Sequence, residues 1–91
     1  MTQRAVLAVF DSAVQAYGQP IFVAHVGAGV RSFQDEVQRP AQDNSLHMHS
    51  EDYHLSHIAD YDEETGAFTV PREGVRVLIR GKDVPKKEHQ A

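Results

Sequence analysis

The run YHLSHIADYD, Tyr53 to Asp62, constrains the fold more than any other stretch. Tyr53, Leu55, His57, Ala59 and Tyr61 alternate with His54, Ser56, Ile58, Asp60 and Asp62. A period of two is that of an extended strand, whose successive side chains leave opposite faces. The following DEETG supplies a turn ending on Gly66, and Asp62 can cap that turn with its own side chain. AFTV then returns as a partner strand, and Pro71 closes the pair. Strands joined by three to five residues containing Gly read as a hairpin.

The rest of the chain supplies further strands and one helix. Ala5 to Phe10 is uninterrupted and apolar, as in a strand covered on both faces, and Asp11 and Ser12 stop it. AVQAYGQP reads as a connection broken by Gly18 and Pro20, and Ile21 to Val26 as a second strand. After Gly27 the period changes. Val30, Phe33 and Val37 stand at i, i+3 and i+7, which predicts a helix over 28–38. Arg31, Gln34, Asp35 and Gln38 point away from that face, and Pro40 ends the helix at or before Arg39. PAQDNSLHMHS is polar and reads as a loop. Val75 to Gly81 favours a strand, with a short helix as the alternative. The order β-β-α-β-β-(β) is an α+β pattern: a small, mostly antiparallel sheet with one helix packed on one face.

Ninety-one residues fit one domain, 1–91, with residues 82–91 expected as a flexible tail. A core of that size leaves a thin stability margin, so a homodimer is expected. The absence of cysteine excludes disulfides, thiolate zinc sites and cysteine nucleophiles. The apolar run near the N-terminus is broken by Asp11, is too short to span a membrane and lacks a signal-peptide pattern. Location in the cytoplasm is the resulting expectation.

Four imidazoles, His47, His49, His54 and His57, fall within eleven residues and raise the question of a first-row metal. His54 and His57 are an odd number of positions apart, so a regular strand sends them to opposite faces. His47 and His49 can converge, but need Glu51 or Asp52 as a third ligand. The bland alternative makes His57 a half-buried sheet residue and leaves the others solvated, and the expectation is no metal and no cofactor. Asp60, Asp62, Glu63 and Glu64 lack the alternating ligands and central Gly of a calcium loop, and read as a solvated turn. HVGAGVRSF has two glycines between a strand and a helix but neither the third Gly of a dinucleotide fingerprint nor a Lys-Ser/Thr. Gly27 and Gly29 are expected to make the turn that starts the helix; the functional alternative is one phosphate at its N-terminus with Arg31 nearby. No Ser-His-Asp arrangement or nucleophile elbow is present, and no enzymatic activity is expected.

Charge is the most informative property. The formal total of −4 is segregated: residues 1–71 hold three Lys/Arg against ten Asp/Glu, and residues 72–91 hold six against three. A basic end on an acidic chain points to an anionic partner. On a regular strand Arg72, Arg76 and Arg80 share one face and Lys82 extends the line. Such a row can track a phosphate backbone while Tyr61 or Phe68 stacks bases. The bland alternative is a solvated edge strand whose charges prevent edge-to-edge pairing.

The sequence also resembles a known family. LAVFDSAVQAYGQPIF is similar to the N-terminal pattern of the small nonstructural proteins of gokushovirus-like microviruses. GVRSFQDEVQ resembles that family's helix, and HSEDYHLSHIADYDEETGAF its most recognisable segment. Here Ser50 stands for the usual Pro and Ala59 for the usual Gly, and the chain beyond Pro71 matches poorly. The resemblance implies a DNA-binding protein of phages that package circular single-stranded DNA. By analogy with the small C protein of the coliphage microviruses, it implies help in the switch to single-strand synthesis or genome packaging, in the host cytoplasm. The combined expectation is non-enzymatic binding of single-stranded DNA by Arg72, Arg76, Arg80, Lys82, Lys86, Lys87 and Arg31. The competing expectations are an adaptor engaging capsid or host replication proteins, and a metal-dependent nuclease.

Overall fold

A computed structural model describes residues 3–85. Its centre is a ribbon of two long antiparallel strands, β1 (Gln3–Asp11) and β4 (Tyr53–Asp62). Each outer edge of the ribbon is taken by two short strands. β2 (Ala16–Tyr17) and β3 (Ile21–Val23) pair with the two ends of β1; β5 (Phe68–Thr69) and β6 (Arg76–Arg80) pair with the two ends of β4. All five pairings are antiparallel. The sheet carries one long helix, α1 (Val26–Gln38), and a single turn, α2 (Ser45–Met48), so the α+β expectation holds. No helix among the described residues is long and apolar enough to cross a membrane.

One face of the sheet holds the core. Ala5, Leu7 and Leu55 are buried there with Phe33 and Val37 of α1 and with Val84. Val9, Val23, Val26, Val30, Leu46, Tyr53, Leu78 and Ile79 pack around them. Leu7 and Leu55 are essentially fully enclosed, each contributing about 1.5–3 kcal/mol relative to exposure. The helix settles close to β1 because position 29 is glycine: a Cβ there would fall inside contact distance of the Leu7 Cδ1 methyl.

The C-terminal end of α1 is tied down by side chains. The Asn44 amide donates to the carbonyls of Glu36 and Arg39 (2.8 and 2.9 Å), and His47 donates Nδ1–H to the carbonyl of Val37 (2.8 Å). These bonds satisfy acceptors that a helix terminus leaves unpaired, and they explain why a stretch expected as loop contains the α2 turn. Beyond β6, a 3₁₀ turn at Gly81–Asp83 leads Val84 into the core, and Gln38 Nε2 donates to the Pro85 carbonyl at 2.7 Å. Within the expected tail, residues 82–85 thus carry part of a 3₁₀ turn, the buried Val84 and a hydrogen bond to α1; residues 86–91 lie outside the described residues.

Several boundaries also move. The helix begins at Val26, so β3 stops at Val23, and Gly27 and Gly29 lie inside α1, not in a turn before it. Part of the expected connection pairs as β2, across a turn in which Gln15 adopts a φ of 60°. Val75–Gly81 resolves in favour of a strand, Arg76–Arg80. The turn after β4 closes through Asp62 as expected, the Glu64 N–H donating to Asp62 Oδ1 at 2.8 Å with Gly66 at a φ of 76°.

Candidate functional site

Both helices lie on the Leu7 side of the sheet. The opposite face is built by the residues that alternate with the core. Register places Tyr17 opposite Phe10, Phe10 opposite His54, and His54 opposite Arg80, one row crossing four strands. The rings meet: Phe10 and Tyr17 lie edge to face at 4.8 Å, and Phe10 and His54 stack at 5.1 Å and 26°. At the other end of the ribbon Arg4, Tyr61 and Phe68 form a second row, and Phe22 leans against both rings, 5.3 Å from Tyr61 and 6.1 Å from Phe68. Six residues along β1 separate the rows, about 20 Å.

Between the rows the floor is small and buried: Val6, Ala8 and Ser56. Ser56 Oγ has no hydrogen-bond partner among the described residues. The apolar run Ala5–Phe10 is thus covered by helix on one face only. On the other face it is shielded by aromatic rings that remain open to solvent, with Tyr17 46 %, Phe22 47 % and Phe68 59 % exposed.

Two bulges decide which polar side chains reach this face. Leu55 pairs with Ile79 but Ser56 with Val77, so Leu78 is an extra residue in β6. Leu78 and Ile79 both pack toward the core, and the parity of the strand changes between them. Arg80 pairs with His54 on the open face, whereas Arg76 pairs with His57 on the helix side. The expected row of Arg72, Arg76 and Arg80 on one face is therefore corrected. Arg72 precedes the strand altogether, exposed in the β5–β6 connection. Arg31 is exposed on α1, behind the sheet. Lys86 and Lys87 lie outside the described residues. Of the predicted cations among the described residues, only Arg80 and Lys82 line a common cleft.

The second bulge is at Ile58: Val6 pairs with Ala59 but Leu7 with His57. It brings His57 and Asp60 to the same face although they are three residues apart, and His57 Nε2 donates to Asp60 Oδ1 at 2.8 Å. His57 is half-buried, as the bland reading expects. His54 emerges on the opposite face.

Arg80 and Lys82 line a cleft of about 230 Å³ with Ser12, Glu51, Asp52, Tyr53 and His54. Its wall is the 3₁₀ turn Ser50–Asp52, which is held from two sides. Ser12 donates its N–H (2.8 Å) and its hydroxyl (2.9 Å) to the Asp52 carbonyl. Across the turn, Gly81 lies so close that a Cβ would strike the Ser50 carbonyl. Within the turn His49, Glu51 and Asp52 offer one nitrogen and two carboxylate oxygens within 4.8 Å of one another. His47 does not join them; its ring is the strap to α1. Partial burial, and secondarily the Arg80 charge, hold the His54 imidazole below its ordinary pKa. Among the described residues neither Arg80 nor Lys82 forms an ion pair, whereas Arg4 Nε is bound to Glu63 at 2.7 Å.

Sequence reasoning singled out Tyr61 and Phe68 but missed Phe10, Tyr17, Phe22 and His54 as parts of a common surface. The signal is Arg4, Val6, Ala8 and Phe10 taken as one side of β1, but it is usable only once β1 is paired with β4.

No curated protein and no solved structure matches the chain. A family model, described as Phage ORF5 protein, matches residues 4–84, from the start of the sheet to the last core residue. The chain belongs to the Phage ORF5 protein family.

Proposed function

We propose that this phage protein binds single-stranded DNA across the open face of its sheet, without catalysing a reaction. The observation that carries the reading is the pair of aromatic rows, Tyr17–Phe10–His54 and Phe22–Tyr61–Phe68, in which Tyr17, Phe22 and Phe68 are exposed and the others half-buried, with Arg80 in line with the first. Rings lying on a sheet can stack on bases whose π-faces are free, which a duplex conceals. Arg80 and Lys82 supply phosphate contacts at one end of that track. The remainder of the chain is acidic, so attachment is weak, local and easily reversed by salt. Reversible coverage of unpaired bases suits a role in the host cell during single-strand synthesis or packaging.

The test is fluorescence anisotropy of a labelled single strand and of the matching duplex, with Tyr17→Ser and Phe68→Ser variants. Both rings are exposed, so both variants keep the core. Each lost stack weakens single-strand binding by about 5- to 150-fold and leaves duplex binding unchanged. Equal affinity of wild type and variants for the single strand overturns the reading. A doubled mass in solution with no DNA retention would instead assign the same rings to a second copy of the chain.

A further inference from the structure

We propose that His49, Glu51 and Asp52 form a divalent-metal site whose occupation turns the adjoining cleft into an anion site. The second half rests on the nucleic-acid reading only for the identity of the anion. The donors are one imidazole nitrogen and two carboxylate oxygens, all within 4.8 Å of one another. Bonds of about 2.0–2.2 Å to zinc or a similar first-row ion place ligand atoms somewhat closer than that, a distance that side-chain rotation closes. The backbone need not move. Asp52 N–H is bonded to the His49 carbonyl at 2.9 Å, Ser12 holds the Asp52 carbonyl, and Gly81 is seated on the Ser50 carbonyl. A mixed nitrogen–oxygen set favours zinc or manganese over calcium, which takes oxygen ligands. Three protein ligands leave a coordination position open for a water or an anion.

Occupation of the site would change the charge of the adjoining cleft. Glu51 and Asp52 line it together with Arg80 and Lys82. Two formal negative charges then share the cleft with two positive ones and weaken the attraction that Arg80 and Lys82 hold for an approaching phosphate. A divalent ion held by the two carboxylates and His49 cancels the negative pair and leaves Arg80 and Lys82 unopposed. Both cations are available for an incoming anion, since neither is committed to an ion pair among the described residues. The metal's open position adds a further ligand for a phosphate oxygen.

The experiment uses the full chain, stripped with EDTA. Calorimetric titration with zinc chloride alone is expected to show a site that His49→Ala weakens about tenfold or more, whereas His47→Ala and Arg80→Gln retain it. Equal zinc affinity in wild type and His49→Ala overturns the site. Charge cancellation is read separately with inorganic sulfate, following the amide resonances of Arg80, Gly81 and Lys82. Sulfate is expected to bind about tenfold more tightly with zinc present than with EDTA at low ionic strength. Zinc binding without that gain overturns the anion half. Zinc and sulfate binding without any affinity for single-stranded DNA would support the site and refute the proposed function, so the two failures are distinguishable.

Discussion

Reversing the charge of Arg80 should disable DNA binding, and reversing Arg76, four residues earlier on the same strand, should not. A strand without irregularity would make the two equivalent. The extra residue at Leu78 separates them, sending Arg80 to the aromatic face beside His54 and Arg76 to the helix side beside His57. For single strands each phosphate contact contributes about −0.7 to the slope of log K against log salt. Arg80 and Lys82 together therefore supply about −1.4. Arg80→Glu or Lys82→Glu should flatten the slope by about 0.7. Either reversal also replaces attraction with repulsion, worth about 2 kcal/mol at contact distance in water and low salt, or roughly 30-fold in affinity. Arg76→Glu and Arg72→Glu should keep the wild-type slope. The assay is anisotropy of a labelled oligo-thymidine over a series of potassium chloride concentrations. An Arg76→Glu slope as flat as that of Arg80→Glu would refute the assignment of faces.

Asn44→Ala removes two bonds from the C-terminal carbonyls of α1 and should cost about 1–3 kcal/mol in urea unfolding; an unchanged midpoint would mean that the α1–α2 junction is held otherwise. Ser56→Ala removes a buried hydroxyl without a partner among the described residues, and should be neutral or stabilising by about 1 kcal/mol; a clear loss would reveal a partner. The His54 resonance, followed with EDTA present, should titrate below the ordinary value of 6.5. Because the folded imidazole resists a proton that the unfolded one accepts, its contribution is complete above pH 6.5 and lost as the pH falls through and below that value. Arg80→Gln should raise the midpoint only partly, since burial is the larger cause; full restoration would contradict that order.

The fold was legible where pattern and packing agree. The alternation of Tyr53–Asp62 marks the span of β4, although the bulge at Ile58 inverts its faces beyond His57, and Val30, Phe33 and Val37 mark the side of α1 that packs on the sheet. The short edge strands were harder. β2 is two residues long and is held by pairing with β1, not by any propensity of its own. The α2 turn depends on Asn44 and His47 finding carbonyls up to ten residues away. The site was legible in composition but not in geometry. Basic residues near the end and aromatics on strands were both visible, yet each bulge inserts one residue and inverts the parity on which a same-face argument rests. Nothing in RVLIR announces that Leu78 is the extra residue; the fit of Leu78 and Ile79 into the core decides it.

The most direct test of the central claim is a map of backbone amide shifts when a short single-stranded oligonucleotide is added to isotope-labelled protein. The account predicts changes at Phe10, Tyr17, Phe22, His54, Tyr61, Phe68 and Val77, continuing to Arg80 and Lys82, with α1 unaffected. Changes centred on Arg31 and the outer side of α1, with the aromatic rows silent, would contradict it.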